Sequence, residues 1–134
     1  MLKSVKVDKH FGEIPLVVCS PSQVNQVFLN LVTNAVQAME DGKGTITLTT
    51  RGDEGGVAVE VADTGKGITQ DVLPKIFDPF FSTKEVGKGT GLGLSISYKI
   101  VQQHGGRIDV ESKPGDGTRF TVWFPFKPPA ELAA

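Results

Sequence analysis

Four uncharged amide side chains recur along one face of a predicted helix. On a helical wheel, Gln26, Asn30, Asn34 and Gln37 fall together, opposite a wide apolar face. Asn is a poor helix former, so two asparagines on one face indicate a compensating role. The carbonyl oxygen of an Asn side chain suits Mg²⁺, a hard cation that prefers oxygen ligands. The stripe is therefore either a metal-binding face or a hydrated helix edge that happens to carry amides.

A carboxylate stands between a predicted strand and a pair of glycines. Asp63 directly follows the apolar segment Val57–Ala62, and Gly65 and Gly67 come next, ahead of Ile68. Such an Asp either caps a turn or accepts a hydrogen bond from a buried donor, for example the exocyclic amine of adenine. In the second case, the two glycines would let a flat base approach the backbone.

Alternate glycines run into the start of another predicted helix. They are Gly87, Gly89, Gly91 and Gly93. This spacing matches neither the P-loop nor the dinucleotide-binding fingerprint. Free backbone N–H groups at a helix N-terminus still make an anion site, and Lys84 and Lys88 add positive charge beside it. Leu92, Leu94 and Ile96 interleave with the glycines, which argues against a flexible linker.

The predicted elements position these clusters in one compact domain. A helix starts at Ser20-Pro21, with Ser as the cap, and ends near Glu40. Strands are predicted over 3–7, 15–19, 45–51, 57–62, 107–113 and 118–126, and helices over 71–77 and 93–104. Strands and helices do not alternate strictly, which favours a two-layer α+β sandwich with a mostly antiparallel sheet.

Composition limits the classes of function. The chain has 134 residues, and its 14 basic and 15 acidic residues give a net charge of −1. This balance argues against binding to nucleic acid or to an anionic membrane. No apolar run has the length of a membrane span, no signal peptide is evident, and the single cysteine, Cys19, excludes an internal disulfide. We expect a single domain over 1–134, with 127–134 as its tail.

Four clusters in this order resemble a known family. They are Asn30…Asn34, Asp63-x-Gly-x-Gly, Phe77…Phe80-Phe81 and Gly89-x-Gly-x-Gly. They look like the N, G1, F and G2 boxes of the catalytic, ATP-binding domain of sensor histidine kinases, and the resemblance covers roughly 3–126. The segment Phe77–Lys84 is similar to the nitrogen-regulation type of these kinases.

The resemblance implies the Bergerat (GHKL) fold, a two-layer α/β sandwich. Its sheet is mixed and mainly antiparallel, and about three helices cover one face. The implied ligands are ATP and Mg²⁺. By position, Asn34 would coordinate the metal, Asn30 would sit beside it and help orient the γ-phosphate, and Asp63 would accept a hydrogen bond from the adenine amine.

The remaining boxes imply further nucleotide contacts. Gly65 and Gly67 would shape the adenine pocket, Ile68 would form its wall, and Thr118 would support the hydrogen bonds to adenine. A lid over about 82–90 would close on the nucleotide, and Gly89, Gly91 and Gly93 would form its hinge and the phosphate cradle. The other implied contacts of the nucleotide are Phe81, Thr90, Leu92 and Leu94. Many members of the family carry a basic residue where this chain has Gln37. Lys84 or Lys88 is therefore expected to meet the phosphate charge.

The implied partners lie outside this sequence. His10 falls in a predicted turn and His104 at a helix end, and neither has the context of a phosphoacceptor. The chain therefore looks like a fragment of a larger cytoplasmic or membrane-anchored kinase, with its acceptor histidine on a separate dimerisation domain and a response regulator receiver domain downstream. Alternatives are a stand-alone serine kinase of the anti-sigma type and an ATPase clamp. Asn30 is a poor base, which speaks against the clamp.

Overall fold

A computed structural model of the chain describes residues 4–11, 20–39, 42–53, 55–78 and 93–127. In chain order, the elements are β1 (Ser4–Phe11), α1 (Pro21–Ala38), β2 (Lys43–Gly52), β3 (Gly56–Asp63), a 3₁₀ turn (Leu73–Lys75), α2 (Gly93–Gln103), β4 (Arg107–Lys113) and β5 (Gly117–Pro125). The strands form one sheet in the order β1-β2-β3-β5-β4. β1 runs parallel to β2, and the other neighbours are antiparallel. The predicted α+β sandwich with a mixed, mainly antiparallel sheet is confirmed.

Alternation along the strands directs one face of the sheet towards the helices. In β5, the alternate residues Phe120, Val122 and Phe124 are buried. Arg119, which directly precedes Phe120, is exposed. The core continues into α1, where Val27, Leu31 and Ala35 are buried at the helical spacing expected for one apolar face. The opposite face of the sheet carries polar pairs such as Arg51–Glu60, whose charged atoms are 2.9 Å apart.

The ends of α1 follow the predicted signals with two differences. Pro21 occupies the first helical position and Ser20 is extended as a cap residue, but its side chain makes no capping hydrogen bond. The helix ends at Ala38, two residues before the predicted end. Met39, only 2% exposed, leaves the helical conformation and inserts into the core.

Two predictions of secondary structure need correction. β1 continues through His10 to Phe11, where a turn was predicted, because the strand pairs along its whole length with β2, from Ser4–Lys43 to Phe11–Thr50. The helix predicted over 71–77 is reduced to the 3₁₀ turn, because Lys75 and Ile76 donate to the carbonyl oxygens three residues before them. The predicted strand 15–19, and 128–134 of the predicted tail, lie outside the described residues.

A buried histidine joins the far ends of the two α-helices. His104 is 1% exposed and follows α2, whose backbone closes with Gly105 at a φ of +75°. Its Nδ1 lies 2.9 Å from the carbonyl oxygen of Ile100, and its Nε2 lies 3.1 Å from the backbone N of Ser20. A carbonyl only accepts and an N–H only donates, so the ring is neutral with its proton on Nδ1.

We expect His104→Leu to lower the free energy of unfolding by about 1–3 kcal/mol. Leucine keeps much of the apolar volume but leaves the N–H of Ser20 without its acceptor. Chemical denaturation measures the change, and Gln103→Leu, at an exposed position of the same helix, is the matched control. Equal stability of the two variants would contradict a structural role for the ring nitrogens.

Candidate functional site

Two polar side chains lie side by side where β3 ends and β5 begins. Asp63 pairs directly with Thr118 in the antiparallel register, so their side chains project from the same face of the sheet. Both are buried, with exposed fractions of 8% and 6%. The sequence placed them in separate motifs, and the sheet register brings them together.

Burial raises the pKa of the Asp63 carboxyl above its ordinary value of 3.8. The backbone N–H groups of Gly65 and Thr118 act against this and lower the pKa. The N of Gly65 donates to Oδ1 of Asp63 over 2.8 Å, so the carboxylate does cap its own turn.

A second aspartate shows that turn capping does not require burial. Oδ1 of Asp53 accepts hydrogen bonds from the N–H groups of Gly55 and Gly56, at 2.9 and 2.7 Å. Asp53 is exposed, and the hydrogen bond from Gly55 lowers the pKa of its carboxyl. Desolvation is the largest influence on the pKa of Asp63, whereas at Asp53 the hydrogen bond from Gly55 outweighs it. The buried position of Asp63 therefore favours the additional role as a hydrogen-bond acceptor for a ligand.

An open groove of about 600 Å³ lies against this pair. Its size falls within the ordinary range for small-molecule sites. Asp63 and Thr118 line it together with Ser112, Val110, Leu73 and Gln70. The lining also includes the charged residues Glu111, Lys113, Asp116 and Arg119. The groove therefore combines a few apolar side chains with polar and charged groups that could orient a ligand.

The two glycines after Asp63 are required by packing within the protein. A Cβ on Gly65 would lie 2.7 Å from the carbonyl oxygen of Ala38, at the end of α1. Gly67 has a φ of +76°, and a Cβ there would lie 2.1 Å from the carbonyl oxygen of Lys113. These contacts hold the loop after Asp63 between α1 and β4. Their predicted role, close approach of a base, stays a prediction.

Ser112 is a polar residue of the groove that the sequence reading missed. Its Oγ receives the N–H of Ile68 at 2.7 Å and lies 2.7 Å from Oγ1 of Thr118. Oγ also donates to the carbonyl oxygen of Gly117 at 2.9 Å. The available signal was positional, because Ser112 continues the inward-facing alternation of Ile108 and Val110 in β4.

The amide stripe of α1 contacts the start of α2. Nδ2 of Asn30 donates to the carbonyl oxygen of Gly93 at 3.0 Å and to Oγ of the fully buried Ser97 at 3.1 Å. Oδ1 of Asn30 accepts a hydrogen bond from Gln26 at 2.9 Å. Asn34 is half-buried one turn further along. The stripe and the last glycine of the ladder are therefore neighbours, which the sequence alone did not show.

Ile68 and Leu94, both predicted to line the nucleotide site, are half-buried and pack against the core. Phe77 also packs there, with its ring 6.4 Å from that of Phe120 and 5.3 Å from that of Tyr98. The other predicted site residues lie outside the described part of the chain; they are Phe81, Lys84, Lys88, Gly89, Thr90, Gly91 and Leu92.

Within the described residues, the structure limits how a metal could be held. They contain no group of three or more His, Cys, Asp or Glu side chains that could bind an ion. The amide oxygen of Asn34 is a donor of the type that a hard cation accepts, together with oxygens of a ligand. Neither described α-helix is both long and apolar enough to cross a bilayer.

Comparisons with known proteins agree with this geometry. Residues 19–128 match the family described as histidine kinase-, DNA gyrase B-, and HSP90-like ATPase. Sporulation kinase E of Bacillus subtilis (strain 168) is 44% identical over 120 residues, which cover 89% of this chain and 16% of that protein. The catalytic domain of histidine kinase ThkA superposes with a TM-score of 0.80 at 36% identity, covering 92% of this chain and 82% of the other. Full-length ShkA in complex with AMPPNP gives a TM-score of 0.81 at 29% identity, with 92% and 26% covered.

The chain therefore spans about a sixth of the length of sporulation kinase E but most of the ThkA catalytic domain. The family match covers most of the chain, and the fold is that of the two kinase structures. This chain belongs to the family of histidine kinase-, DNA gyrase B-, and HSP90-like ATPases, and it has the fold of a sensor histidine kinase catalytic domain.

Proposed function

We propose that this chain is a single ATP-binding domain that binds Mg-ATP and donates the γ-phosphate to a histidine on a separate phosphoacceptor domain. The observation that carries the proposal is the buried pair of Asp63 and Thr118, which lines an open groove. Such a pair of acceptors suits the amine of adenine. The AMPPNP bound in the ShkA structure supports an adenine nucleotide as the ligand.

The phosphate end of the nucleotide belongs on the other side of the site, at the amide stripe. Asn34 offers a carbonyl oxygen to Mg²⁺, whose charge, when the ion is bound, neutralises the phosphates during transfer. Asn30 holds the first residue of α2, and so fixes the end of the glycine ladder beside the metal ligand. Lys84 and Lys88 are proposed to complete the charge balance.

In this reaction the protein itself forms no covalent bond to the transferred group. A nitrogen of the acceptor imidazole forms a bond to the γ-phosphorus as the bond to the bridging oxygen of ADP breaks, and ADP leaves with that electron pair. Positioning and charge neutralisation are then sufficient, which agrees with the lack of a base at Asn30. The acceptor domain and a response regulator receiver domain are the proposed partners. A cytoplasmic location is proposed because ATP is supplied there.

Asn34→Ala should weaken binding of an ATP analogue at least about tenfold in the presence of Mg²⁺, because a metal ligand is removed. Without Mg²⁺, the affinity should stay near that of the wild type. The gain in helix propensity is roughly half a kcal/mol and offsets the loss of a polar contact, so the fold should persist. Calorimetric titration with and without Mg²⁺ measures both affinities, and Gln37→Ala, exposed on the same stripe, is the control. A variant that unfolds would make Asn34 structural.

Asp63→Asn should lower the affinity for ADP by about 10- to 150-fold, equivalent to about 1.5–3 kcal/mol for a hydrogen bond to a charged group. The amide places a donor where the adenine amine needs an acceptor. Asp53→Asn changes the exposed turn cap instead and should leave the ADP affinity unaltered. An unaltered affinity in Asp63→Asn would reduce Asp63 to a turn cap.

The raised pKa of Asp63 gives this test a pH dependence. As pH falls through the raised value, the carboxyl of the free protein is protonated, and wild-type affinity for ADP should fall towards that of Asp63→Asn. Stability should move the opposite way. Burial favours the neutral acid. The contribution of Asp63 to the free energy of unfolding is therefore fully present below pH 3.8 and is lost as pH rises through the folded-state pKa. Comparing wild type with the variant at each pH cancels the titration of ADP itself.

Transfer is tested with γ-labelled ATP, this chain and the acceptor-histidine domain of the same kinase. Label should appear on the acceptor domain in an acid-labile, alkali-stable form, which distinguishes phosphohistidine from phosphoserine. His104 should not be labelled, because its ring is buried and both nitrogens are hydrogen-bonded. Acid-stable label on the acceptor, or label on this chain alone, would contradict the proposal.

A further inference from the structure

The hydroxyl of Ser112 stands at a junction of three polar groups. Oγ lies 2.7 Å from the N of Ile68, 2.9 Å from the carbonyl oxygen of Gly117 and 2.7 Å from Oγ1 of Thr118. A hydroxyl has one proton to donate and two lone pairs to accept with. Three contacts therefore use the full capacity of Ser112.

Counting protons fixes the direction of each bond. The carbonyl of Gly117 can only accept, so the single proton of Ser112 points to it. The N–H of Ile68 can only donate, and it takes one lone pair. The contact with Thr118 is a hydrogen bond only if Thr118 is the donor.

The direction of this hydrogen bond determines what the hydroxyl of Thr118 can offer to a ligand in the groove. Its one proton is committed to Ser112, so Oγ1 has only lone pairs to offer a ligand. The ionised carboxylate of Asp63, paired with Thr118 across the strands, is also an acceptor only. A ligand group or bridging water beside this pair must supply protons, as an amino group does and a carbonyl oxygen does not.

We propose that Ser112 is a positioning residue that holds the Thr118 hydroxyl as an acceptor, and that it thereby selects a purine with an amino group, rather than an oxo group, at ring position 6. This inference rests on the proposed binding of a nucleotide. The selection acts through Thr118, since Ser112 points its own proton away from the ligand.

A purely structural role for Ser112 is the competing explanation. Its contacts also close the β4–β5 turn, and Gln70 donates to its backbone oxygen at 3.1 Å. Loss of that role would lower stability or weaken all nucleotides alike. Only the directional role changes the ratio of affinities for two bases of similar size and shape.

The test is a double-mutant cycle with ADP and inosine 5′-diphosphate, which carries a carbonyl in place of the amine. Affinities are measured by calorimetry for the wild type, Ser112→Ala, Thr118→Val and the double variant. The wild type should prefer ADP. Ser112→Ala frees the proton of Thr118, which can then turn to the carbonyl, so the preference for ADP should fall roughly three- to tenfold. In the Thr118→Val background, the same substitution should leave the ratio unchanged.

Ser112→Thr, which keeps a hydroxyl, should restore the ADP preference. If Ser112→Ala does not fold, Ser112→Cys takes its place, because a thiol has similar volume and accepts hydrogen bonds weakly. An unchanged ratio in the single variant, or an equal shift in the Thr118→Val background, would overturn the inference while ADP binding stands. A wild type that binds neither nucleotide would refute the proposed function, and the inference with it.

Discussion

The burial of one carboxylate, that of Asp63, is the constraint on which the rest of the site depends. A charged group removed from water needs hydrogen-bond donors, and here the backbone N–H groups of Gly65 and Thr118 supply them. To aim them, the loop must turn tightly against the last residue of α1 and the last residue of β4. That explains why side chains are excluded at Gly65 and Gly67. The helix layer and the hairpin are thus tied to the carboxylate through backbone contacts.

Polar contacts also fix the position of the two α-helices relative to each other. They lie antiparallel, and each end of their interface has a polar link: Asn30 to Gly93 and Ser97 at one end, Ser20 to His104 at the other. Apolar packing between helices tolerates sliding, whereas hydrogen bonds of fixed length do not. These links set the position of the α2 N-terminus relative to the amide stripe. An anion bound by that N-terminus would therefore find Asn34 at a fixed distance.

The sequence predicts local structure well here and long-range pairing poorly. The start of α1 at Ser20-Pro21 follows from signals within a few residues, and the structure confirms it. The length of β1 depends on its parallel pairing with β2, which lies more than 30 residues away, so no local pattern reveals that His10 is in a strand. The amide stripe was found because four like residues share a face. The alternation along β4 indicates which face Ser112 is on, but its hydrogen bond with Ile68, 44 residues away, depends on long-range packing that no local pattern reveals.

For the two glycines after Asp63, the sequence motif is recognised correctly but the physical reason given for it is incomplete. Glycine indicates that something comes close to the backbone, but it does not identify what comes close. At Gly65 and Gly67 the close neighbours are carbonyl groups of Ala38 and Lys113. The loop therefore owes its shape to the protein, and it can keep that shape whether or not a ligand is present. A carboxylate aimed in advance loses less entropy on binding than one that a ligand must order, so the desolvation cost at Asp63 is met during folding and not during recognition.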